Sequence, residues 1–331
     1  MAGTVAVTGA DGFIGSHLTE GLVANGYRVR AMVRHNAFDS EGWLDTLPPD
    51  VLAEVEILAG DVEDPAGVAR LVRGAHTVYH LAALTAISYS YLAPRSYLNT
   101  NVLGTLNVLE AVRAERCERL IHTSSSEIYG TAQGVPITES HPVQAPSPYA
   151  ASKVAADKLV ESYHLSFGVP AVTLRPFNTF GPRQPARALI PSVIAQLLAG
   201  ASEIRLGATA PTRDFTFVAD IVAAFLAVGA APATTVIGET FNAGSGQEIS
   251  IGDLAARAGE LAGRRVPVLL ESRRVHPPRS QARRLVCDST RLRDHTGWRP
   301  RYSLDDGLKT TVAWFLDPDN LARYHLARSP R

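Results

Sequence analysis

The sequence predicts an α/β protein with a doubly wound parallel sheet and a smaller, irregular α/β lobe towards its C-terminal end. Two observations support the sheet. Short apolar runs alternate with amphipathic stretches over the first 180 residues, and a glycine-rich turn follows the first apolar run. Strands that alternate with helices form right-handed crossovers, so the helices cover both faces of a parallel sheet. A third observation marks the lobe: beyond residue 180 the apolar runs shorten and proline, glycine and arginine become frequent.

Six strands and four helices are predicted in this first part of the chain. The strands cover residues 5–8, 28–33, 55–59, 77–82, 119–123 and 171–174, and the helices cover residues 14–24, 66–72, 97–114 and 148–167. We expect residues 1–175 to form one domain, to which residues 215–242 return, and residues 176–214 and 243–331 to form the second lobe. Because no proline- or serine-rich linker separates them, the two parts are expected to pack closely and to share a cleft.

The composition argues against several function classes. Thirty-two basic residues balance 32 acidic residues, so there is no general attraction to nucleic acid or to an anionic membrane. Two cysteines, Cys117 and Cys287, are too few for a disulfide framework and are typical of a reducing compartment. We find neither a bilayer-spanning apolar run nor a signal-like segment, and therefore expect a cytoplasmic protein. The histidines and acidic residues lack metal-binding spacing, so no metal is expected.

Three glycines at a spacing of three follow the first predicted strand, in the segment Thr8-Gly9-Ala10-Asp11-Gly12-Phe13-Ile14-Gly15. Glycine permits a positive φ and lets a phosphate approach the backbone. The helix that follows offers free N–H groups and the positive end of its dipole. A glycine turn alone is a weak signal and also fits a tight turn without a ligand. At the first strand of a βαβ pattern, however, it predicts a Rossmann sheet that binds the pyrophosphate of a dinucleotide.

The end of the second strand bears on the choice of dinucleotide. An acidic residue that would meet the adenosine ribose of NAD is missing there, and Arg34 follows instead. Because arginine pairs with a 2′-phosphate, NADP is modestly favoured over NAD. Alternatively, Arg34 is an ordinary surface residue and Asn36 holds the ribose. Asp61, after the third strand, is positioned to accept a hydrogen bond from the adenine amino group, with Val62 beside it.

The long helix predicted over residues 148–167 carries a candidate base. Ser147 suits the N-cap of this helix and Gly168 suits its end. Tyr149 and Lys153 are four residues apart and therefore share one helix face. The ammonium group, together with the positive nicotinamide ring of a bound cofactor, would favour the phenolate and make it a usable base near neutral pH. By itself, the spacing also fits an ordinary exposed pair.

The fifth strand supplies the hydroxyl groups that such a base needs as partners. It ends in Ser124-Ser125-Ser126-Glu127, and hydroxyls at the carboxyl end of a strand can reach a substrate oxygen held by Tyr149. Taken alone, this segment would be read as a serine-rich turn.

In their order and spacing, the glycine loop, the serine strand end and the Tyr-x-x-x-Lys helix resemble those of the extended short-chain dehydrogenases, specifically the nucleotide-sugar epimerases and dehydratases. The likeness covers nearly the full chain and includes Asn101, the segment Arg175-Pro176-Phe177-Asn178, residues 213–220 and Gly297-Trp298. It implies that Ser125, Tyr149 and Lys153 are the catalytic triad. It also implies a homodimer that forms through a four-helix bundle.

The resemblance also implies two sets of binding residues. The tightly bound cofactor, NAD or NADP, is expected to contact Gly9, Gly12, Phe13, Ile14, Gly15, Arg34, Asn36, Asp61, Val62, Leu81, Ala82, Ala83, Asn101, Thr123, Tyr149, Lys153 and Pro176. The sugar nucleotide is expected to contact Thr85, Asn178, Arg183, Leu189, Arg213, Arg279 and Arg284. Relatives usually have an Arg-Pro pair, whose arginine binds the diphosphate, where this chain has His276-Pro277. Arg279 or Arg284 is therefore expected to bind the diphosphate instead.

The reaction is expected to depend on Ser126 and Glu127. The dehydratases resembled here carry Thr-Asp-Glu or Thr-Ser-Glu at this point, and Ser125-Ser126-Glu127 is similar to the second version. A 4,6-dehydratase needs a carboxylate beside C5 of the sugar and a proton donor near C6. Glu127 is expected to be the C5 base, and Ser126, alone or through water, is expected to help the C6 hydroxyl leave.

The expected enzyme is thus a nucleotide-sugar 4,6-dehydratase that acts on a UDP- or GDP-linked hexose or N-acetylhexosamine. Residues 123–130 and 176–213 look most like the bacterial dehydratases of UDP- or GDP-linked N-acetylglucosamine. Within the family, a 4-epimerase and a UDP-glucuronate decarboxylase remain alternatives, the latter because Arg213 or Arg183 would suit a carboxylate. A catalytically silent dinucleotide sensor is the non-enzyme alternative, although such a protein would be expected to lose Tyr149 or Lys153.

Overall fold

The computed structural model describes residues 2–271 and 282–324. The strands are β1 (Ala2–Thr8), β2 (Tyr27–Arg34), β3 (Val55–Gly60), β4 (Thr77–His80), β5 (Arg119–Thr123), β6 (Ala171–Pro176), β7 (Asn178–Phe180), β8 (Ile204–Leu206), β9 (Thr212–Arg213), β10 (Phe215–Phe217), β11 (Thr240–Ala243), β12 (Ile249–Ser250), β13 (Val268–Leu270) and β14 (Arg284–Leu285). The α-helices are α1 (Phe13–Ala24), α2 (Pro49–Leu52), α3 (Pro65–Val72), α4 (Ile87–Leu92), α5 (Pro94–Tyr97), α6 (Gly104–Glu115), α7 (Pro148–Phe167), α8 (Leu189–Leu198), α9 (Val218–Ala230), α10 (Ala233–Val236), α11 (Ile251–Leu261), α12 (Thr290–Thr296), α13 (Leu304–Leu316) and α14 (Pro318–Ala322). Short 3₁₀ helices cover Gly42–Thr46 and Ser126–Tyr129, and a π-helical turn covers Leu98–Leu103.

Seven parallel strands form the central sheet, in the order β11-β6-β5-β4-β1-β2-β3. The predicted doubly wound parallel sheet is therefore confirmed. The chain builds outwards from β1 to β3 and then crosses to β4 on the other side of β1. This reversal opens a crevice at the carboxyl ends of β1 and β4, which is where ligands bind in open α/β sheets.

The residues of β1 alternate between two helical layers. Val5 and Val7 belong to the core beneath α1 and α9, whereas Ala6 belongs to the core beneath α3 and α6. All residues of β4 and β6 are buried, as expected for inner strands covered on both faces. The helical layers thus hold the carboxyl ends of these strands in fixed positions.

Two predicted elements end differently in the structure. The fourth strand stops at His80. The Leu81 N–H is shared between the Thr8 carbonyl oxygen at 3.3 Å and the Thr8 hydroxyl at 3.1 Å, and the Ala82 N–H donates to the same hydroxyl at 3.1 Å. The helix predicted over residues 97–114 is interrupted by the π-helical turn that contains Asn101. The Asn101 amide bonds there to the Leu84 backbone and to the hydroxyl of Ser152 on α7. π-Helical turns of this kind are frequent at functional sites.

The smaller lobe consists of short sheets and helices. Strands β7 and β10 pair with each other, β12, β9 and β14 form a second sheet, and β8 and β13 a third. Helix α9 packs on α1, and β11 pairs with β6, so residues 218–243 contribute to the large sheet. The exact division into domains stays a prediction.

Other sequence expectations concern absences. Within residues 2–271 and 282–324, no helix has the length and apolar character that a membrane span requires. In the same residues, no three potential metal-binding side chains come together. Cys117 and Cys287 are both buried free thiols.

Candidate active site

A cleft of about 770 Å³ lies at the carboxyl ends of the central strands. Its walls are the glycine loop after β1, the segments after β4 and β5, the start of α7, and the first turn of α8. The cleft therefore lies at the reversal of strand order and between the two parts of the molecule, where the sequence predicts the ligand site.

The glycine loop closes tightly against the segment after β4. Gly9 has φ +67°, and a Cβ there would lie 2.8 Å from backbone atoms of Ala82. A Cβ on Gly15 would lie 2.0 Å from the carbonyl oxygen of Gly9. The N-cap of α1 is Gly12, so no side chain caps its first N–H groups. This open cradle with free N–H groups fits a pyrophosphate.

Helix α7 brings the candidate base into the same cleft. Ser147 caps the helix by accepting a hydrogen bond from the Ala150 N–H at 3.1 Å, and the helix ends at Gly168 in the left-handed region, as predicted. The Tyr149 and Ser125 hydroxyls share a hydrogen bond. The Lys153 Nζ donates to the carbonyl oxygen of Thr123 at 2.6 Å.

The pKa values of the Tyr149 and Lys153 side chains reflect their burial. Burial raises the pKa of Tyr149 to about 12, against a lowering by the hydrogen bond with Ser125. Burial lowers the pKa of Lys153 to about 8, against a raising by the carboxylate of Asp157. The expected acidification of the phenol is thus absent from the protein alone, because desolvation outweighs the favourable contacts.

Ser126 and Glu127 lie on the 3₁₀ helix that follows β5, and both line the cleft. The Glu127 N–H donates to the Ser125 hydroxyl at 3.2 Å, which fixes the turn relative to the triad. Arg213 also lines the cleft and is only 8% exposed. Burial lowers the pKa of its guanidinium, and the charge of Glu127 opposes this shift. A carboxylate, a hydroxyl and a buried cation therefore face the space beside Tyr149.

A buried carboxylate lies behind the catalytic helix face, one turn after Lys153. Asp157 accepts hydrogen bonds from the Ser124 hydroxyl at 2.8 Å and from His122 Nε2 at 3.2 Å. It also accepts from Arg175 Nε and Nη2, at 3.2 and 3.1 Å. Burial raises the pKa of Asp157, but the hydrogen bond from His122 and the charges of His122, Arg175 and Lys153 together hold it below its usual value.

Arg175 links this carboxylate to the turn that carries Glu127. Its Nη1 donates to the Tyr129 hydroxyl at 2.9 Å, and its guanidinium carbon lies 5.3 Å from the centre of the Tyr129 ring. The Tyr129 hydroxyl in turn donates to Asn242 Oδ1 on β11 at 2.8 Å. No sequence motif assigns a role to Asp157, Tyr129 or Asn242. The one sequence signal for Asp157 is its helical spacing from Lys153.

Most of the predicted site residues line the cleft. They are Gly9, Gly12, Phe13, Ile14, Gly15, Arg34, Asp61, Val62, Leu81, Ala82, Ala83, Thr85, Thr123, Ser125, Ser126, Glu127, Tyr149, Lys153, Pro176, Asn178, Leu189 and Arg213. Arg279, which was expected to contact the diphosphate, and His276 lie outside the described residues.

Four predicted contact residues do not line the cleft, because other groups bind their side chains. Asn36 bonds to the backbone of its own loop, at Arg34, Phe38 and Ser40. Asn101 bonds to Leu84 and Ser152 beneath the cleft.

The other two are arginines with acidic partners. Arg183 pairs with Glu20 on α1 at 3.1 Å. Arg284 forms a two-pronged pair with Glu248, with both distances 2.7 Å. Both arginines thus have acidic partners within the protein, and their contacts with the sugar nucleotide stay a prediction.

The cleft also contains residues to which the sequence analysis gave no role. They include Asp11, Met32, Leu84, Gln184, Arg187 and Phe215. Asp11 was within reach of sequence reasoning, because it belongs to the glycine loop. Gln184, Arg187 and Phe215 lie in segments that resemble the family, although no individual role was expected of them, and Met32 and Leu84 lie outside any motif.

Comparison with known proteins agrees with this geometry. The GDP-mannose 4,6 dehydratase family model matches residues 6–311. A dTDP-glucose 4,6-dehydratase of Xanthomonas campestris pv. campestris (strain B100) is 34% identical, with 94% of this chain and 92% of that protein covered. A UDP-glucose 4-epimerase of Mycolicibacterium smegmatis (strain ATCC 700084 / mc(2)155) is also 34% identical, with 93% and 97% covered.

Solved structures show the same relationship. A dTDP-glucose 4,6-dehydratase from Streptomyces venezuelae, solved with NAD bound, has a TM-score of 0.86 and 28% identity, covering 96% of this chain and 98% of that chain. A UDP-glucuronic acid 4-epimerase from Bacillus cereus, in complex with UDP-glucuronic acid and NAD, has a TM-score of 0.85 and 26% identity, covering 95% and 99%. The chain is thus an enzyme of the GDP-mannose 4,6 dehydratase-like family, which comprises NAD-dependent nucleotide-sugar dehydratases and epimerases.

Proposed function

We propose that the protein is a nucleotide-sugar 4,6-dehydratase, which converts a hexose nucleotide into its 4-keto-6-deoxy derivative. The observation that carries this proposal is the position of Ser126 and Glu127 in the cleft that also contains Tyr149. Oxidation at C4 and epimerisation need the triad alone, whereas removal of a C5 proton needs a further carboxylate. Glu127 provides one on a turn tied to Ser125.

In this proposal the triad removes the C4 hydroxyl proton and Glu127 removes the C5 proton. Tyr149 accepts the first proton while Ser125 hydrogen-bonds the same oxygen. Ser126, alone or through water, assists departure of the C6 hydroxyl. A nicotinamide dinucleotide held in the glycine loop would supply the redox chemistry, that is, reversible hydride transfer between C4 and C6, so that the enzyme would need no external oxidant.

The proposed cofactor is a nicotinamide dinucleotide held in the glycine loop. The free N–H groups of α1 and the space at Gly9 and Gly15 suit its pyrophosphate. The preference for NADP expected from the sequence rests on the Arg34 side chain alone. The Arg34 guanidinium lies at the edge of the cleft, with its Nε 3.7 Å from Asp61 Oδ2.

The proposed substrate is a UDP- or GDP-linked hexose or N-acetylhexosamine. The part of the cleft towards the smaller lobe is lined by the buried cation of Arg213 and by the Asn178 amide. The buried Oδ1 of this amide has no hydrogen-bond partner among the described residues. These groups suit the diphosphate and sugar hydroxyls. Because two of the relatives are named dTDP-glucose 4,6-dehydratases, dTDP-glucose must be tested as a substrate as well.

Mass analysis of the product tests the reaction. The protein is incubated with UDP-GlcNAc, UDP-glucose, dTDP-glucose, GDP-mannose and UDP-glucuronate, and each product is measured by mass spectrometry. Loss of water from one substrate is expected. An unchanged mass with a new isomer would establish an epimerase, and loss of carbon dioxide would establish a decarboxylase; either result would refute the dehydratase proposal.

The Glu127→Gln variant tests the assignment of the C5 base. Reduction of the bound nicotinamide by substrate, followed by absorbance, is expected to persist, while loss of water and uptake of solvent deuterium at C5 are expected to stop. Glu118→Gln, which replaces an exposed carboxylate far from the cleft by a carboxamide, serves as the matched control. Normal product release by Glu127→Gln would remove this glutamate from the mechanism.

Two observations favour testing the alternative activities, decarboxylation and 4-epimerisation. The buried Arg213 faces Glu127 and would suit the carboxylate of a uronic acid in a decarboxylase. A UDP-glucose 4-epimerase is among the relatives with the highest identity reported above. The same substrate panel separates both activities from dehydration.

We further propose a homodimer that forms through a four-helix bundle of the long helices. Leu98 and Leu103 near α6, and Leu165 and Phe167 on α7, are exposed apolar side chains. Apolar groups of this kind on adjacent helices are typical of subunit contacts. Light scattering is expected to give about twice the 35.4 kDa of one chain, and a monomer at micromolar concentration would refute the dimer.

A further inference from the structure

A carboxylate lies at the end of β2 even though β2 itself supplies none. The last residue of this strand is Arg34, and its backbone N–H donates to Asp11 Oδ2 at 3.2 Å. In dinucleotide folds, an acidic side chain at this point of the second strand accepts the adenosine ribose hydroxyls. The glycine loop therefore delivers a carboxylate to the place where the strand lacks one.

The position of Asp11 is fixed by the loop that follows β2. The carbonyl oxygen of Asp11 accepts a hydrogen bond from the Trp43 N–H at 3.0 Å. Gly42, with φ +65°, packs so closely that a Cβ there would lie 2.7 Å from the same oxygen and 2.9 Å from the Asp11 Cβ. The Trp43 ring lies 5.7 Å from the rings of Trp314 and Tyr324. The carboxylate is thus held in place before a ligand arrives.

The charges around this end of the cleft oppose a 2′-phosphate. Asp11 and Asp61 both line the cleft beside Arg34. The Arg34 side chain is 70% exposed, and its charge is already opposed by the Asp61 carboxylate, with 3.7 Å between Nε and Oδ2. The following loop, residues 35–45, adds three acidic residues and neither lysine nor arginine. A dianionic phosphate would meet more negative than positive charge here.

We propose that Asp11 accepts the hydroxyl groups of the adenosine ribose in place of the missing acid on β2, and that it makes the site select NAD over NADP. This reverses the preference that Arg34 alone would predict. The inference rests on the dinucleotide site of the proposed function and is independent of the reaction that follows. Hydroxyl groups donate to a carboxylate, whereas a 2′-phosphate removes that donor and brings like charge against Asp11.

Competition between the two dinucleotides tests this selection without using activity. The purified protein is dialysed against equimolar NAD and NADP and then denatured, and the released dinucleotides are quantified by anion-exchange chromatography. Wild type is expected to retain at least about tenfold more NAD than NADP, and Asp11→Asn is expected to lower this ratio about tenfold. Asparagine keeps an oxygen that can accept from the Arg34 N–H, so the loop is expected to remain folded.

A matched control and a second measurement guard against a general loss of structure. Asp50→Asn removes one exposed carboxylate from α2, away from the cleft, and is expected to keep the wild-type ratio. The increase in Tm on adding NAD or NADP to wild type gives the same comparison without any variant, because each ligand stabilises the fold according to its affinity. NAD is expected to give the larger increase.

Three results would overturn the inference. They are retention of more NADP than NAD by wild type, retention of neither dinucleotide, and an Asp11→Asn ratio within twofold of wild type. A protein that retains NAD through Asp11 but removes no water from any sugar nucleotide would refute the dehydratase and leave this inference intact. Conversely, water loss with unaltered selectivity in Asp11→Asn would refute the inference alone.

Discussion

Replacement of Arg175 by methionine is expected to destabilise the fold because it breaks a buried ion pair. Arg175 is 9% exposed and Asp157 is 7% exposed. The change removes two hydrogen bonds to Asp157 and one to Tyr129, while methionine fills much of the same space. The carboxylate keeps His122 and Ser124 as its hydrogen-bond partners and the charge of Lys153, but it loses the cation that binds it directly.

The expected size of the effect follows from this uncompensated charge. Removing one partner of a buried ion pair costs about 3–5 kcal/mol of unfolding free energy. For 331 residues, an unfolding entropy of about 2.1 cal/mol/K per residue gives about 0.7 kcal/mol/K for the chain. Arg175→Met should therefore lower Tm by about 4–7 °C.

Loss of the arginine also changes the dependence of stability on pH. The pKa of Asp157 is lowered in the folded protein, and the charge of Arg175 contributes to that lowering. A carboxyl group with a depressed folded pKa stabilises the fold above its unfolded pKa, and this contribution disappears as the pH falls through the folded pKa. The difference in unfolding free energy between wild type and Arg175→Met is therefore expected to shrink towards acidic pH.

Thermal unfolding followed by circular dichroism measures both effects. Arg205→Met is the matched control, because Arg205 pairs with Glu203 at 2.9 Å but its side chain is 55% exposed. An exposed pair contributes less than about 1 kcal/mol, so this control should change Tm by no more than about 1.5 °C. If Arg175→Met were equally mild, the network would not stabilise the fold as argued.

The remaining predictions concern the helix caps, the glycine loop and the buried lysine. Ser147→Ala should cost about 1 kcal/mol in denaturant unfolding, because the Ala150 N–H loses its acceptor; an unchanged midpoint would contradict this. Gly15→Ala should abolish dinucleotide retention measured by chromatography, because its Cβ would lie 2.0 Å from the Gly9 oxygen; a normal dinucleotide content would show that the loop can move. The folded pKa of Lys153 is about 8, lowered from 10.5, so the unfolded chain binds more protons between these values. Wild-type stability without dinucleotide should therefore rise relative to Lys153→Met across that window, by at most about 1.4 kcal/mol per pH unit, and parallel curves in denaturant titrations would refute it.

Local patterns in the sequence predicted much of the fold. The long helix with Tyr149 and Lys153 begins and ends where its N-cap serine and its terminal glycine indicate. The glycine loop was predictable for the same reason, since its spacing and its position after β1 are contiguous in the chain. The π-helical turn at Asn101 was not predicted, because it depends on contacts with Leu84 and with α7.

The buried network beneath the site shows why other parts escaped prediction. Tyr129, Asp157, Arg175 and Asn242 come from four separate elements, so no local spacing relates them. The ion pair of Arg183 escaped prediction for the same reason, because its partner is a glutamate 163 residues earlier in the chain. Sequence motifs report groups that are close along the chain, whereas these contacts form only when the sheet is assembled.

The protonation state of Tyr149 connects cofactor occupancy with catalysis. In the protein alone, burial raises the pKa of this phenol to about 12, and burial also lowers the pKa of Lys153 to about 8. Each group thus resists its charged form, and the hydrogen bond from Ser125 does not offset the desolvation. For the phenol to act as a base near neutral pH, its pKa must be lowered by additional positive charge in the same buried site. The ring of an oxidised nicotinamide would carry that charge. Proton abstraction is consequently expected only in the dinucleotide-bound protein.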